Sequence, residues 1–218
     1  MKVAVLFLAG LLSASLAYSA ETALYATGPA QDASYVRFLN ATDDAVVVTN
    51  GAARLSLVTT PAARISHFFA VKAGAKLLAS VQVHGHTYPV SVVAQPSEFI
   101  TIAIVPQGSG QWKTQIVREI PTDFNALRAS LSLMNLDPAC TTAELLGGVK
   151  HQSVLSNVVP FSVQRRSINP VNLTAQLRCV GQAHGGDIAV GQLQAGERYS
   201  VFLLPLKSPQ VLVALDKL

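Results

Sequence analysis

The chain has 218 residues, of which 50% are hydrophobic and only 13% are charged, and it carries a formal net charge of +4 with a pI near 9.2. This composition excludes an intrinsically disordered chain and an acidic or basic tail protein. No run of Lys or Arg concentrates the mild positive charge, so nucleic-acid binding has little support. The length fits one or two domains, and two copies of roughly 90 to 95 residues would each suit a small β-sandwich.

The first twenty residues have the three-part layout of a secretory signal peptide. Lys2 is followed by an apolar run over residues 3–12 and then by small residues up to Ala20. The run is short for a bilayer span, and an uncleaved N-terminal anchor is the alternative interpretation. We predict a signal peptide over residues 1–19 and an exported, soluble mature protein.

The first predicted domain covers residues 20–118. Its short stretches of alternating apolar residues are separated by turn residues such as Asn50-Gly51, which predicts antiparallel β-strands. In one of these strands three isoleucines share a face, with Thr101 and Ala103 opposite. The predicted strands cover residues 34–40, 44–50, 54–59, 64–71, 76–83, 87–94, 98–105 and 111–118.

A linker over residues 119–127, which includes Pro121 and could hold a helical turn, separates this domain from a second predicted domain over residues 128–218. The predicted strands of the second domain cover residues 129–135, 142–146, 157–163, 171–179, 187–193, 197–204 and 210–216. Pro160 interrupts the third of these strands, which argues for an edge position or a bulge. Seven or eight short strands per domain predict an all-β chain of two tandem immunoglobulin-like antiparallel β-sandwiches.

The second domain repeats the sequence pattern of the first. The run SYVRFLN begins at Ser34, the run SLSLMNL begins at Ser130, and the two runs bring Asn40 and Asn135 to equivalent places before an Asp-containing turn. Chance alternation of aliphatic residues is the alternative, but we interpret the chain as one β-unit used twice. Further matched pairs are Glu98 with Glu197, Pro106 with Pro205, and Val83 with Cys179.

Cys140 and Cys179 are the only cysteines of the chain. Because the protein is predicted to be exported, we predict that they form a disulfide. The bridge would close a loop of about 40 residues and stabilise the fold by roughly 4 kcal/mol on the chain-entropy model. Two free buried thiols are the alternative. By the repeat, Ala45 and Val83 are their equivalents in the first domain, so we expect an apolar contact there.

Aromatic and basic residues supply candidate binding surfaces. Trp112, the only tryptophan, could form a platform for a sugar ring with Tyr88 or Tyr35, although a core or edge tryptophan is the commoner role. Arg165-Arg166 is the only paired basic cluster in the sequence. It could meet a carboxylated polymer or an acidic protein patch, but exposed arginines at a strand end need no function.

The sequence offers no catalytic constellation that we can assemble. There is no Gly-x-Ser-x-Gly elbow. His84 and His86 could share a strand face and reach one metal ion, but a third ligand at a plausible spacing is missing, so we favour a polar hairpin tip. We therefore predict no catalytic residue, no cofactor and no metal site.

Several stretches of the chain resemble the AlgF family of alginate O-acetylation accessory proteins. They are Leu24-Tyr25, the run SYVRFLNA from Ser34, and the run INPV from Ile168 that leads to Gly196-Glu197. The resemblance implies a periplasmic protein of two tandem β-sandwiches in a Gram-negative bacterium, with no catalytic residues of its own. It also implies that the protein helps to acetylate mannuronate residues of alginate.

The partners that the resemblance implies are a membrane-bound O-acyltransferase and periplasmic SGNH-type acetyltransferases. Our first hypothesis is therefore a non-catalytic adaptor for exopolysaccharide acetylation. The alternative is a carbohydrate-binding module that presents polymer, either alginate or cellulose, to the enzymes. A third hypothesis is an enzyme that carries the acetyl group covalently on a serine or histidine.

Overall fold

A computed structural model describes residues 32–123, 125–207 and 211–218 of the chain. The predicted signal peptide lies outside the described residues. The described part consists of β-strands, one short 3-10 helix and connecting loops, and it forms one compact unit. The all-β prediction is confirmed.

The first sandwich contains eight strands in two sheets. One sheet has the order β4-β1-β7-β8 and the other has the order β3-β2-β5-β6. A 3-10 helix, Pro61–Ala63, lies between β3 and β4. The strands are β1 (Ala33–Asn40), β2 (Val46–Asn50), β3 (Ala53–Leu57), β4 (Phe69–Lys72), β5 (Lys76–Val83), β6 (His86–Val93), β7 (Phe99–Gly108) and β8 (Gln111–Glu119).

The second sandwich repeats this arrangement. Its strands are β9 (Ala129–Asn135), β10 (Ala143–Gly147), β11 (Gln152–Val158), β12 (Ser162–Ile168), β13 (Asn172–Cys179), β14 (Gln182–Ala183), β15 (Ile188–Gln192), β16 (Arg198–Leu203) and β17 (Val211–Leu215). One sheet has the order β12-β9-β16-β17, and the other places β11, β10, β13 and β14 in order with β15 beside β13. The two sets of sheets have the same strand order, except that β14 and β15 together take the place of β6.

The sheets are not wholly antiparallel. Val36 of β1 lies beside Ile100 of β7 in a parallel pair, and Leu131 of β9 lies beside Tyr199 of β16 in the equivalent parallel pair. Side chains alternate with a period of two in both kinds of pairing, so the sequence pattern could not distinguish them. The parallel pair also shows that the first and the penultimate strands of each unit meet at the centre of a sheet.

The predicted strand over residues 157–163 is wrong. β11 ends at Val158 and β12 begins at Ser162, and Pro160 lies in the turn between them. Proline lacks the N–H group that a sheet ladder needs, so it favours the turn over a strand interior. The apolar residues on either side of Pro160 gave the segment the appearance of one strand, whereas the two true strands extend into more polar sequence.

Two equivalent asparagines fasten the sheets of each sandwich together. The Nδ2 atom of Asn40 donates to the carbonyl of Leu57 over 3.1 Å, and that of Asn135 donates to the carbonyl of Val158 over 3.1 Å. Both asparagines are completely buried. Each one ends the first strand of its unit and satisfies a carbonyl of the facing sheet, which is structural support for the repeat.

In one sheet of each unit, the two central strands are buried on both faces. Inner faces form one apolar core in each sandwich, while the outer faces of β1, β7, β9 and β16 pack in a third apolar cluster that includes Leu39, Val105, Phe202 and Leu204. Thr101 is therefore only 2% exposed although it lies opposite the isoleucines. Because the two sandwiches share this third cluster, they pack as a single body.

Candidate functional site

A buried ion-pair network crosses the contact between the two sandwiches. The Nη1 atom of Arg37 lies 2.6 Å from Oδ1 of Asp216, and Nη2 of Arg165 lies 2.9 Å from Oδ2 of the same carboxylate. Arg165 also pairs with Glu119, which Arg198 approaches to 3.3 Å. The side chains of Arg37 and Asp216 are only 3% and 1% exposed. These charges link β1 with the residue that follows β17.

The network keeps the Asp216 carboxylate ionised. Burial alone would raise the pKa of Asp216, but the charges of Arg37 and Arg165, with hydrogen bonds from Arg37 and Ser200, lower this pKa below its ordinary value. Burial lowers the pKa of Arg37 in turn, although Asp216 opposes that change. Removing one partner of such a buried ion pair destabilises the folded protein, because the other charge stays buried without compensation.

Ser200 is the serine that lies closest to an acid–base arrangement. Its Oγ donates to Asp216 over 2.8 Å and accepts from the Ser132 hydroxyl over 2.9 Å. Both serines are completely buried at the contact between the sandwiches. Guanidinium nitrogens of Arg37 and Arg165 also donate to Ser200 Oγ, over 3.2 and 3.4 Å. This arrangement ties strands together and offers no attacking group to a polymer.

The residues of the predicted pair Arg165-Arg166 line one cavity but differ in their contacts. The two side chains leave β12 on opposite faces, as consecutive strand residues do. Arg165 is 10% exposed and is held by Glu119 and Asp216. Arg166 is exposed and donates to the carbonyl of Val154 over 3.5 Å.

The structure brings Trp112 and Tyr88 together at the open edge of the first sandwich. Their ring centroids lie 6.5 Å apart with an interplanar angle of 74°. Both residues are half-buried and line a cleft of about 430 Å³ between β6 and the β7–β8 hairpin. Lys113 and Gln111 add polar groups to the cleft. An aromatic wall beside a polar rim suits a ring with one apolar face and several hydroxyl groups.

Two histidines extend this aromatic edge. The rings of His84 and His86 lie 5.5 and 6.5 Å from the Trp112 ring. Val83 pairs with His86, so His84 and Gly85 form the two-residue turn, and both have positive φ. The structure thus places the histidines at a hairpin tip, as predicted, and the described residues contain no group of three side chains that could hold a metal ion.

Tyr35, the other aromatic residue considered for the platform, lies elsewhere. It stacks on Phe99 at the start of β7, with ring centroids 4.7 Å apart. Trp112 instead faces Pro106 near the end of the same strand. The structure therefore separates Tyr35 from the cleft.

The predicted disulfide is confirmed. Cys140 and Cys179 are bonded, with their Cα atoms 5.5 Å apart, and the loop before β10 is thereby attached to β13. The hydrogen bonds identify the equivalent of Cys140 in the first sandwich. The Nδ2 atom of Asn135 donates to the carbonyl of Cys140 over 2.7 Å, as that of Asn40 donates to the carbonyl of Asp44.

The prediction of an apolar contact between Ala45 and Val83, at the equivalent place in the first sandwich, is wrong. Ala45 is exposed, and the carboxylate of Asp44 instead lies 2.6 Å from Nε2 of His84, the residue that follows Val83. The second repeat has two more residues between its asparagine and its next strand, and this changed length shifts the alignment by one position. The two copies thus join the same two segments by different chemistry.

Sequence reasoning missed the ion-pair network. Arg37 and Asp216 are 179 residues apart in sequence, so no local pattern connects them. One signal was present, because Arg37 lies in the middle of an otherwise apolar strand. A buried charge at such a position requires a partner, but the sequence does not say which.

Comparison with known proteins identifies the family. The family model described as alginate O-acetyl transferase AlgF matches residues 6–200. The chain belongs to the AlgF family. This assignment confirms the resemblance and connects the chain with alginate O-acetylation. Among curated proteins, none matches this chain.

A solved structure was also found, described as the crystal structure of CBMbc (family CBM26) from Eubacterium rectale Amy13K in complex with maltoheptaose. It is 10% identical, with 84% of this chain and 96% of that chain covered and a TM-score of 0.26. A likeness at this TM-score supports no inference about this chain. AlgF membership and the disulfide agree with an exported protein. Among the described residues, the structure contains no helix that could span a bilayer.

Proposed function

We propose that this AlgF-family chain is a non-catalytic periplasmic accessory protein for the O-acetylation of alginate. Family membership supports the process and the polymer, because the family description names alginate. The disulfide supports an oxidising compartment outside the cytoplasm. The protein would act by holding other components in place rather than by transferring acetyl groups itself.

The contacts of the buried ionisable groups support a non-catalytic role. A catalytic acid or base must reach substrate, and its surroundings adjust its pKa for proton transfer. Among the described residues, burial lowers the pKa of Arg64, which donates to backbone carbonyls within the first sandwich. The other groups with a shifted pKa are Arg37, Asp216 and Arg198, and they contact one another or Glu119 where the two sandwiches meet. Their chemistry is committed to joining the sandwiches into one body.

The proposed partners are periplasmic SGNH-type acetyltransferases and a membrane-bound O-acyltransferase. A rigid double sandwich can present two surfaces at a fixed separation, which suits a protein that keeps an acetyl-donor enzyme close to an acetyl-transferring enzyme. Pull-down of the mature protein with the periplasmic acetyltransferases should retain them at micromolar concentration. A clean negative result would contradict the adaptor role.

The deciding experiment is the acetylation state of the exported polymer. Deleting the gene should remove acetyl groups from alginate, as measured by NMR, while polymer yield persists, and restoring the gene should restore them. Intact acetylation in the deletion strain would refute the accessory role. Intact-mass analysis of the protein after incubation with an acetyl donor tests the enzymatic alternative, because a covalent acetyl intermediate would add mass.

The second candidate function is carbohydrate binding at the edge of the first sandwich. The cleft beside Trp112 and Tyr88 favours it, because aromatic faces can stack on sugar rings. Titration with alginate or cello-oligosaccharides should shift the indole N–H resonance of Trp112 if this cleft binds them. The absence of a shift at millimolar ligand would exclude the cleft as a sugar site.

A further inference from the structure

The cleft beside Trp112 and Tyr88 lies at an open edge of the first sandwich. Its walls come from β6, from β8 and from the hairpin that precedes β8, and β6 and β8 are the outermost strands of the two facing sheets. An outermost strand keeps backbone N–H and C=O groups that its own sheet does not pair. The cleft therefore combines an aromatic wall with backbone groups that can bond the hydroxyl groups of an extended polymer.

The charge of the cleft favours an anion. Its described walls include two side chains that can carry positive charge, His86 and Lys113, and no aspartate or glutamate. The ammonium group of Lys113 lies 5.1 Å from the centre of the Phe161 ring in the second sandwich, so it acts on the cleft through its field rather than by contact. A cleft lined by groups of one sign attracts ligands of the opposite sign.

His86 is the group that can bring positive charge to the aromatic wall. Its ring is exposed, lies 6.5 Å from the Trp112 ring, and shares a strand face with Tyr88, two residues further along β6. His84 lies 5.5 Å from the Trp112 ring but is held 2.6 Å from the carboxylate of Asp44, which offsets any charge that His84 gains. His86 is therefore the histidine that can meet an anion in the cleft.

We propose that the cleft binds a uronate residue of an anionic polysaccharide, with Trp112 against the sugar ring and the imidazolium of His86 donating to the carboxylate. The assignment rests on the proposed function in alginate O-acetylation, since alginate is a polyuronate, and it names the ligand class of the carbohydrate cleft. Histidine gains its charge between about pH 8 and about pH 5, a range over which a uronate stays ionised. Affinity for uronate therefore rises as the pH falls, whereas affinity for a neutral sugar does not.

The test is a titration of the intact mature protein with mannuronate hexasaccharide at about pH 8 and about pH 5.5, followed by fluorescence and by calorimetry. Trp112 is the only tryptophan, so a change in its fluorescence reports on this cleft. We expect mannuronate to bind about fivefold more tightly at the lower pH, the size of one exposed ion pair, and to weaken as salt rises. Neutral mannohexaose, the comparison ligand, should bind more weakly and equally at both pH values.

His86→Gln keeps a hydrogen-bond donor but cannot gain charge, so it should abolish the tighter binding at the lower pH. His67→Gln is the matched control, because His67 is an exposed histidine beside β4, at the opposite edge of the first sandwich, and it should bind as wild type does at both pH values. Trp112→Ala removes the aromatic wall and should weaken binding at least tenfold by calorimetry. Because Trp112 also packs against the core, the exposed His86→Gln decides the test if Trp112→Ala fails to fold.

Three results would overturn the proposal: no mannuronate binding at millimolar concentration, binding of mannohexaose as tight as that of mannuronate at the lower pH, or wild-type pH dependence in His86→Gln. The second result would leave a site for neutral sugars instead. Restoring acetylation in the deletion strain separates this proposal from the proposed function. If the wild-type gene restores acetylation but its product binds no mannuronate, the cleft assignment fails while the accessory role stands.

Discussion

The two sandwiches share their strand order and their buried asparagines, yet they secure the loop after the first strand differently. In the second sandwich a covalent bond joins Cys140 to Cys179. In the first, an exposed hydrogen-bonded pair joins Asp44 to His84 at the corresponding place. A disulfide holds this loop regardless of salt and pH, whereas an exposed pair contributes little and is screened. The comparison teaches that the repeated β-unit requires its asparagine but not one particular cross-link.

The junction shows a second contrast between the copies. Glu119 and Asp216 lie at the ends of equivalent sheets, beside Phe99 and Arg198 respectively. The Arg198 guanidinium lies 4.4 Å from the centre of the Phe99 ring. Equivalent positions of the repeat thus carry complementary residues, and the repeat has diverged where the two copies touch each other.

The largest expected effect comes from breaking the junction at Asp216. Asp216→Asn leaves Arg37 and Arg165 without the carboxylate that both contact, so we expect a loss of about 3 to 5 kcal/mol in unfolding free energy. Urea denaturation measures it, and Asp187→Asn at an exposed turn is the matched control. A loss no larger than that of the control would contradict the structural importance of the network.

The same substitution should alter the pH dependence of stability. Because the folded-state pKa of Asp216 lies below the ordinary value of 3.8, its contribution is present above that pH and is lost as the pH falls through the folded-state pKa. The wild type should therefore lose stability below about pH 4 more steeply than Asp216→Asn does. Parallel curves for the two proteins would contradict the lowered pKa.

The disulfide should have the next largest effect, and the effect should be confined to one copy. Replacing Cys140 and Cys179 by serine should cost about 2 to 4 kcal/mol, because the bridge no longer restricts the unfolded chain. Amide exchange should increase in β10 and β13 more than in β2 and β5. A reducing agent should destabilise the wild type and leave the double variant unchanged, and equal exchange in both sandwiches would contradict this assignment.

Replacing Asn40 or Asn135 should lower the unfolding free energy equally if both copies use the asparagine in the same way. Asn40→Ala and Asn135→Ala each leave a buried carbonyl without its donor, which should cost about 1 to 3 kcal/mol. Asn172→Ala, at an exposed position, is the control. A difference of more than about 1.4 kcal/mol, a factor of ten in the folding equilibrium, would show that the copies do not use this residue alike.

The smallest effect is expected for the exposed pair of the first sandwich. His84→Ala removes the contact with Asp44, whose side chain is 32% exposed, while that of His84 is 62% exposed. The cost should be below about 1 kcal/mol and should shrink as salt rises. A cost as large as that of removing the disulfide would show that the two cross-links are energetically equivalent after all.

Part of the candidate site could be predicted from the sequence. The platform of Tyr88 and Trp112 is brought together in the structure, because the β6 and β8 strands that carry them lie at one edge of the sandwich. The pair Arg165-Arg166 suggested a single basic surface, and both residues line one cavity beside the linker. Arg165 is already paired with Glu119 and Asp216, whereas Arg166 is exposed, and sequence adjacency could not show this difference.

The sequence by itself determined the local features of this protein. Alternating apolar residues and turn residues located most strands, including β5 at its observed bounds, because side-chain period and turn chemistry are local properties. The repeat followed from the same patterns, and the disulfide followed from two cysteines in an exported chain. Those properties depend on neighbours within a few residues or on composition alone.

Only the tertiary structure decided how the outer faces are used. The strands β1, β7, β9 and β16 are buried twice because the two sandwiches pack through them, and the Arg37–Asp216 pair forms across that contact. The sequence pattern of a strand shows that a face is apolar but not what covers it. Contacts between residues 179 positions apart depend on the whole folded chain, so the junction became visible only in three dimensions.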